Sequence, residues 1–391
     1  GLGDVYKRQI INGLGKEPLK AVISVVIAAS VLTYGGVSLF VVVFAVYPFA
    51  AALFKEANYP KRFVAPVIAL GAFTATMDCL PGTPQIQNII PTTYFGTNLY
   101  AAPLAGIIGA IIIYGGGIFY LTHRLRHAVA NGEGYGNHKI NEPEHNEDMT
   151  YVNWKLAVIP LLAVLIINFV ITECVVWDPD ILTPFQQMKG VPLVAAKLKN
   201  VVSIWALIIS LVVGIVLALI VGKREIKSVD GLTKILNAGA IGSLLAIMNT
   251  ASEVGYGNVI SQLPGFADVA HFLINIHIGG TPLVSEAISV TVLAGITGSA
   301  SGGMSIALEL MSQDWLTWAQ SIGMGPEILH RVASMASGGL DTLPHNGAVI
   351  TLLAVCGLSH RESYKDIFAI TLMKTFAVFV IILIYSVTGL H

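Results

Sequence analysis

Apolar residues run through this chain in long stretches, and the residues that interrupt them are mostly glycine, proline, serine and threonine. Runs close to the ~20 residues that cross a bilayer lie at 19–33, 37–54, 63–79, 101–122, 156–173, 200–221, 236–250, 284–300 and 367–390. Shorter Gly/Pro-rich pieces fall at 80–91, 251–266 and 332–358. The pattern predicts an all-α polytopic membrane protein of about nine or ten transmembrane segments, some of them broken or re-entrant.

Two parts of the chain look like diverged copies. Tyr34-Gly35-Gly36-Val37-Ser38 precedes Asp78-Cys79-Leu80-Pro81-Gly82-Thr83-Pro84-Gln85, and Ser301-Gly302-Gly303-Met304-Ser305 precedes Asp341-Thr342-Leu343-Pro344-His345-Asn346-Gly347 at nearly the same distance. Paired Gly/Pro interruptions in two halves point to the binding site of a secondary transporter built from two inverted-topology repeats. The expected map is a first repeat at 10–123 with its break at 78–91, and a polar linker at 124–153. Connecting segments follow at 154–235 with a polar excursion at 174–199, then a second repeat at 236–391 with its break at 338–347. Residues 1–9 fit neither a signal peptide nor a span. They read as a foreign or misread start on a first repeat that has lost its opening helices.

Composition agrees with the class: 54% of residues are hydrophobic and 12% charged, against about 25% charged in soluble domains. No basic stripe of the kind nucleic acid requires is present. Cys79, Cys174 and Cys356 are isolated, without the spacing of a zinc site or disulfide framework, and read as small buried hydrophobes.

The breaks carry the chemistry. Pro81 and Pro84 remove backbone donors and stop a helix near Asp78. A new helix capped by Thr83 would present free N–H groups and a positive dipole end to an anion. Gln85, Gln87 and Asn88 are neutral groups able to bind a carboxylate or hydroxyl, and Asn346 with His345 occupies the matching place in the second half. Gly35, Gly36 and Ser38, with Gly302, Gly303 and Ser305, read as the walls of the site. Asp341, His345, Glu286 and Glu253 are the titratable groups in apolar surroundings, hence candidates for carrying a coupling ion. A structural role for each, as cap or buried hydrogen-bonding group, is the competing reading.

The segments TYGGVSLFVVVFAVYP, LPGTPQIQNIIPTTYFGT, NTASEVGYGNVI, GTPLVSEAISVTVLAGITGSASGGMSIALE and HRVASMASGGLDTLPHNGAVITLLAVCGLSHRESY resemble the gluconate permease (GntP) family of the ion transporter superfamily, from about residue 12 onward. The breaks LPGTPQIQN and LPHNGAV differ from those of the gluconate branch and are similar to the D-beta-hydroxybutyrate permease-like branch. The resemblance implies a bacterial inner-membrane permease importing a small hydroxy carboxylate, such as 3-hydroxybutyrate or gluconate, by proton symport with alternating access. It implies no cofactor, H⁺ as coupling ion with Na⁺ as the alternative, and a homodimer as in superfamily relatives. The reading is of a carrier and not an enzyme. An intramembrane hydrolase built on Ser337, Asp341 and His345, and a channel, are the rivals from other classes. Saturable uptake separates the carrier from both.

Overall fold

The computed structural model describes residues 17–142, 154–178, 181, 184, 198–223, 229–276, 278 and 280–390. The expected start at 1–9 and most of the polar stretches 143–153 and 174–199 lie outside the described residues. Every regular element among those described is helical.

The first repeat runs α1 (Pro18–Tyr34), α2 (Leu39–Glu56), α3 (Val64–Ala72), a single turn α4 (Ala75–Asp78), α5 (Ile86–Phe95) and α6 (Pro103–Ala130). Next come α7 (Trp154–Phe169), α8 (Lys199–Val221), α9 (Val229–Ser261) and α10 (Pro264–Ile274), of which most of α9 and all of α10 fall in the stretch expected to open the second repeat. The part of the second repeat that mirrors the first runs α11 (Leu283–Thr297), α12 (Ala300–Ser321), α13 (Pro326–Ser337), α14 (Gly347–Cys356) and α15 (His360–Thr388).

Local chemistry sets the boundaries. Pro18 and Pro103 open α1 and α6 in their first turns, where the missing N–H costs nothing. Ser359 and Glu362 form a capping box at the start of α15. The short helices α5 and α14 both stop at a left-handed glycine, Gly96 and Gly357.

Among the described residues, four helices are long and apolar enough to cross a membrane: Leu39–Glu56, Pro103–Ala130, Ile204–Val221 and His360–Thr388. Pro18–Tyr34, Ile159–Thr172, Leu283–Thr297 and Gly347–Cys356 are shorter apolar helices. Three of these shorter helices, α1, α11 and α14, border breaks, which divide crossings into pieces too short to span alone. One expected division is absent, because α9 continues unbroken through 251–261.

Contacts between the repeats show their inverted relation. Arg62, just before α3, pairs with Asp366 near the start of α15, and Arg124 from the end of α6 reaches the same carboxylate. At the other end, Arg331 and His330 near the start of α13 bond the Leu99 and Ala101 carbonyls and Thr97, all beyond α5. The path α3–α5 thus begins where α13–α14 ends, and the two run antiparallel. One apolar core unites both repeats, with Phe54, Leu70, Ile113, Met311, Trp315 and Ile381 buried in it.

The stretch expected as a solvated linker is ordered in its described part. It starts inside α6, and residues 131–142 then lie across the helix ends. Glu133 pairs with Arg62, Glu142 with Lys55 and Lys61, and the Asn141 amide donates to the Ala354 carbonyl at 2.8 Å. Cys79 and Cys356 are buried as expected, whereas Cys174 is exposed.

Candidate functional site

Four helix N-termini meet at a cavity of about 640 Å³. Gly36 and Ser38 come from the α1–α2 break and Gln85 to Gln87 from the start of α5. Ser299 to Ser301 come from the α11–α12 break, and Asp341, Thr342, Asn346 and Ala348 from the α13–α14 break. Phe40, Phe73, Met77 and Ile247 add apolar wall. The volume suits a small molecule.

The repeats match position by position here. Ser38 and Ser299 are the N-cap residues of α2 and α12, and Gln85 and Asn346 those of α5 and α14. Gly36 (φ 91°) and Gly298 (φ 67°) turn the chain just before the serines. Those angles lie in the left-handed region that glycine occupies at little cost.

This corrects the sequence pairing of the two Gly-Gly-Ser motifs. Gly302 and Gly303 sit inside the first turn of α12, not in a break. A Cβ on Gly303 would stand 2.2 Å from the Ala294 nitrogen, so its role is close packing of α11 on α12. Ser305 is helical and stands apart from the cavity lining, as do Gly302 and Gly303.

Other expected residues divide into those at the cavity and those behind it. Gly36, Ser38, Gln85, Gln87, Asn346 and Asp341 line it. Gly35 does not: a Cβ there would meet Leu161 at 2.6 Å. Thr83 is buried and bonds the Thr76 carbonyl; the N-cap of α5 is Gln85 instead.

Asn88 is committed to the framework. Its amide donates to the Thr83 and Leu99 carbonyls (3.0 and 2.9 Å), and its Oδ1 accepts from Arg331 at 3.0 Å and meets His330 Nε2 at 3.1 Å. His345 lies outside the lining, with Nε2 donating to the Gly295 carbonyl at 3.0 Å. Glu286 is fully buried away from the cavity; neither carboxyl oxygen has a hydrogen-bond partner, nor does the Ser289 hydroxyl one turn on. The side chain of Glu253 lies outside the described residues.

The N-termini differ in what already occupies them. Asn346 Oδ1 accepts from the Ala348 and Val349 amides, and Ser299 Oγ from the Gly302 amide. Ser38 and Gln85 make no such cap; the Gln85 amide instead donates to the Thr33 and Val37 carbonyls at 2.6 and 3.3 Å. First-turn N–H groups of α2 and α5 therefore keep their donor capacity at the cavity. Gln87, 5% exposed and part of the same wall, holds a side-chain oxygen with no partner.

Sequence reasoning missed the buried cations. Lys374 is 1% exposed, donating to the Asp341 carboxylate at 2.8 Å and the Phe73 carbonyl at 2.7 Å. Arg331 is fully buried, with donors on the Ala101, Leu99 and Asp78 carbonyls and on Asn88. The signal was available: a lysine within an apolar span is costly and needs a partner. The hydrolase constellation is absent. Ser337 Oγ donates to the Ser334 carbonyl, Asp341 binds Lys374, and His345 binds Gly295.

Inverted repeats, broken helices and a cavity at their tips define a carrier-type membrane fold. The same fold occurs in the YdaH transporter of Alcanivorax borkumensis, whose structure shows an unusual topology. That structure matches with a TM-score of 0.53 and 13% identity over 100% of this chain and 89% of that one. No family model matches the chain. The uncharacterized transporter YxjC of Bacillus subtilis (strain 168) is 48% identical over 399 residues, covering 100% of this chain and 83% of that protein. The chain belongs to the family of that transporter, and is a multi-pass membrane transporter.

Proposed function

We infer that the protein is a secondary carrier that imports a small hydroxy carboxylate with a proton across the bacterial inner membrane by alternating access. One observation carries the reading. Uncapped N-termini of α2 and α5 face the cavity beside the partnerless Gln87 oxygen. The N–H groups and helix dipoles suit a carboxylate. The Gln87 oxygen is a buried acceptor without a donor, and a turn of this lining side chain toward the cavity brings it to a substrate hydroxyl. A 3-hydroxybutyrate- or gluconate-like acid has both groups, in keeping with the GntP resemblance. Of the acids expected to carry a coupling ion, Asp341 borders this cavity.

The test is uptake by the purified protein in liposomes, using labelled D-3-hydroxybutyrate and gluconate with butyrate as the control lacking a hydroxyl. The expected result is saturable uptake of a hydroxy acid, driven by an inward proton gradient and unchanged when choline replaces Na⁺. Non-saturating flux, a strict Na⁺ requirement, or no uptake of either hydroxy acid would overturn it.

A further inference from the structure

From Asp341 in the cavity wall inward to buried Asp78 and Lys374 runs a charge cluster in which both repeats take part. Asp78 and Asp341 occupy matching places, each two residues before the Leu-Pro pair of its break. Lys374 of α15 reaches between them, bonded to Asp341 and to the Phe73 carbonyl. Gly338 is the surface on which they meet. A Cβ there would stand 2.0 Å from Asp78 Oδ2 and 3.0 Å from Lys374 Cε. Asp78 is 2% exposed, and its carboxylate accepts a bond from Cys79 Sγ at 3.0 Å.

The groups facing Asp78 come from every side: Lys374 from α15, Asp341 from the second break, Arg331 from α13, Tyr114 from α6, and the adjacent Cys79. Asp341 faces Lys374 and Thr342 as well as Asp78. With both carboxylates ionised, the two acids balance Lys374 and Arg331. An anion entering the adjoining cavity leaves one negative charge uncompensated in a low-dielectric site, which is costly. One proton restores the balance.

We propose that Asp78, Asp341 and Lys374 form the proton-exchange centre, where one of the two carboxylates takes up the proton that accompanies the anion. The inference rests on the carrier reading above. In this step an O–H bond forms on a carboxylate with a proton from the water on the entry side, and the same proton returns to water on the exit side. Nothing is oxidised or reduced. Because Lys374 ties Phe73 of one repeat to Asp341 of the other, protonation alters a link between the two units. One proton per monoanion is the resulting stoichiometry.

Asp78→Asn tests this because it removes the second carboxylate without touching the cavity lining. Purified wild-type and variant proteins in liposomes are compared in two assays with labelled D-3-hydroxybutyrate and gluconate: counterflow exchange without a gradient, and accumulation driven by a pH gradient of about one unit. Wild type should exchange, and should accumulate about tenfold, the limit for one proton per anion. Asp78→Asn should exchange at a rate near wild type but accumulate nothing. Tenfold accumulation by Asp78→Asn overturns the inference and leaves the carrier reading standing. Failure of wild type to exchange either acid overturns the carrier reading and this inference with it. If Asp78→Asn is inactive in both assays, the conservative variant Asp78→Glu decides. Exchange with tenfold accumulation restored supports the centre, and a monodisperse Asp78→Glu that exchanges without accumulating, or does not exchange, overturns it.

Discussion

The side-chain amide of Asn346 donates to the Gly298 carbonyl at 2.5 Å, joining the start of α14 to the break between α11 and α12. Gln85 does the same in the first repeat, donating to the Thr33 and Val37 carbonyls. In each half, the N-cap residue of one broken helix holds the elbow of the other. The two tips lining the cavity are therefore positioned relative to each other, while Asn346 additionally caps its own helix.

Asn346→Ala removes that tie and two cap bonds at once. The expected cost is about 1–2 kcal/mol of stability, the upper range for a lost cap, with uptake reduced because the tip loses its anchor. Asn346→Ser restores a cap acceptor but not the reach to Gly298, so it should recover stability more than uptake. Thermal unfolding in detergent beside liposome uptake checks both. Equal recovery of the two would separate the tie from transport.

Gln87 and Asn88 are neighbours in sequence with opposite expected phenotypes. Gln87→Leu should raise KM for a hydroxy acid by about tenfold, the scale of one hydrogen bond, and leave yield and unfolding temperature close to wild type. Asn88→Ala strands Arg331 and His330 donors in the interior. It should cost about 2–4 kcal/mol and appear as poor yield, with an unchanged KM for whatever folds. Kinetics and size-exclusion profiles distinguish them.

Glu142 offers a pH test outside the membrane spans. Partial burial pushes its carboxyl up, but hydrogen bonds from Lys61 and Lys55 outweigh this and hold it below the usual glutamate value. A depressed folded value contributes stability above the unfolded value of about 4.3, and the contribution vanishes as pH falls through the folded value. Glu142→Gln should lower the unfolding temperature at pH 7, and the gap to wild type should close on acidification below about pH 4. A gap independent of pH would refute the charge account.

Glu286 buries both carboxyl oxygens without a partner. A similarly shaped apolar side chain avoids that penalty, so Glu286→Met should raise stability by about 1–3 kcal/mol. Gradient-driven accumulation should persist, since the exchange centre is placed elsewhere. Loss of accumulation in a stable Glu286→Met protein would move the coupling role to this residue.

Much of the architecture was legible because proline leaves a local mark. Pro81 and Pro84, close together, and Pro344, after Gly338-Gly339, mark breaks, whereas the lone Pro48, Pro91 and Pro160 sit inside α2, α5 and α7. The Gly-Gly-Ser comparison misled for a reason just as physical. Glycine serves both turning and close packing, and Gly303 packs while Gly298 turns. Asn88 looked like a ligand because an amide's partners are set by distant chain. Lys374 left a mark as a lysine within an apolar span, but its partners and those of Arg331 were illegible, because the contacts with Phe73 and Asn88 are made only when the repeats interlock.

The interlock also bears on biosynthesis. Arg331 is 230 residues downstream of the Ala101 carbonyl that it satisfies, and Lys374 is 301 residues beyond Phe73. When the ribosome has finished the first repeat, those carbonyls still lack their donors, and bilayer lipid cannot supply them. The early half must therefore wait in the membrane as an incomplete template, to be closed only when the late half is threaded against it in reverse. A chain that ends before α13 lacks both donors and leaves the Ala101 and Phe73 carbonyls without them.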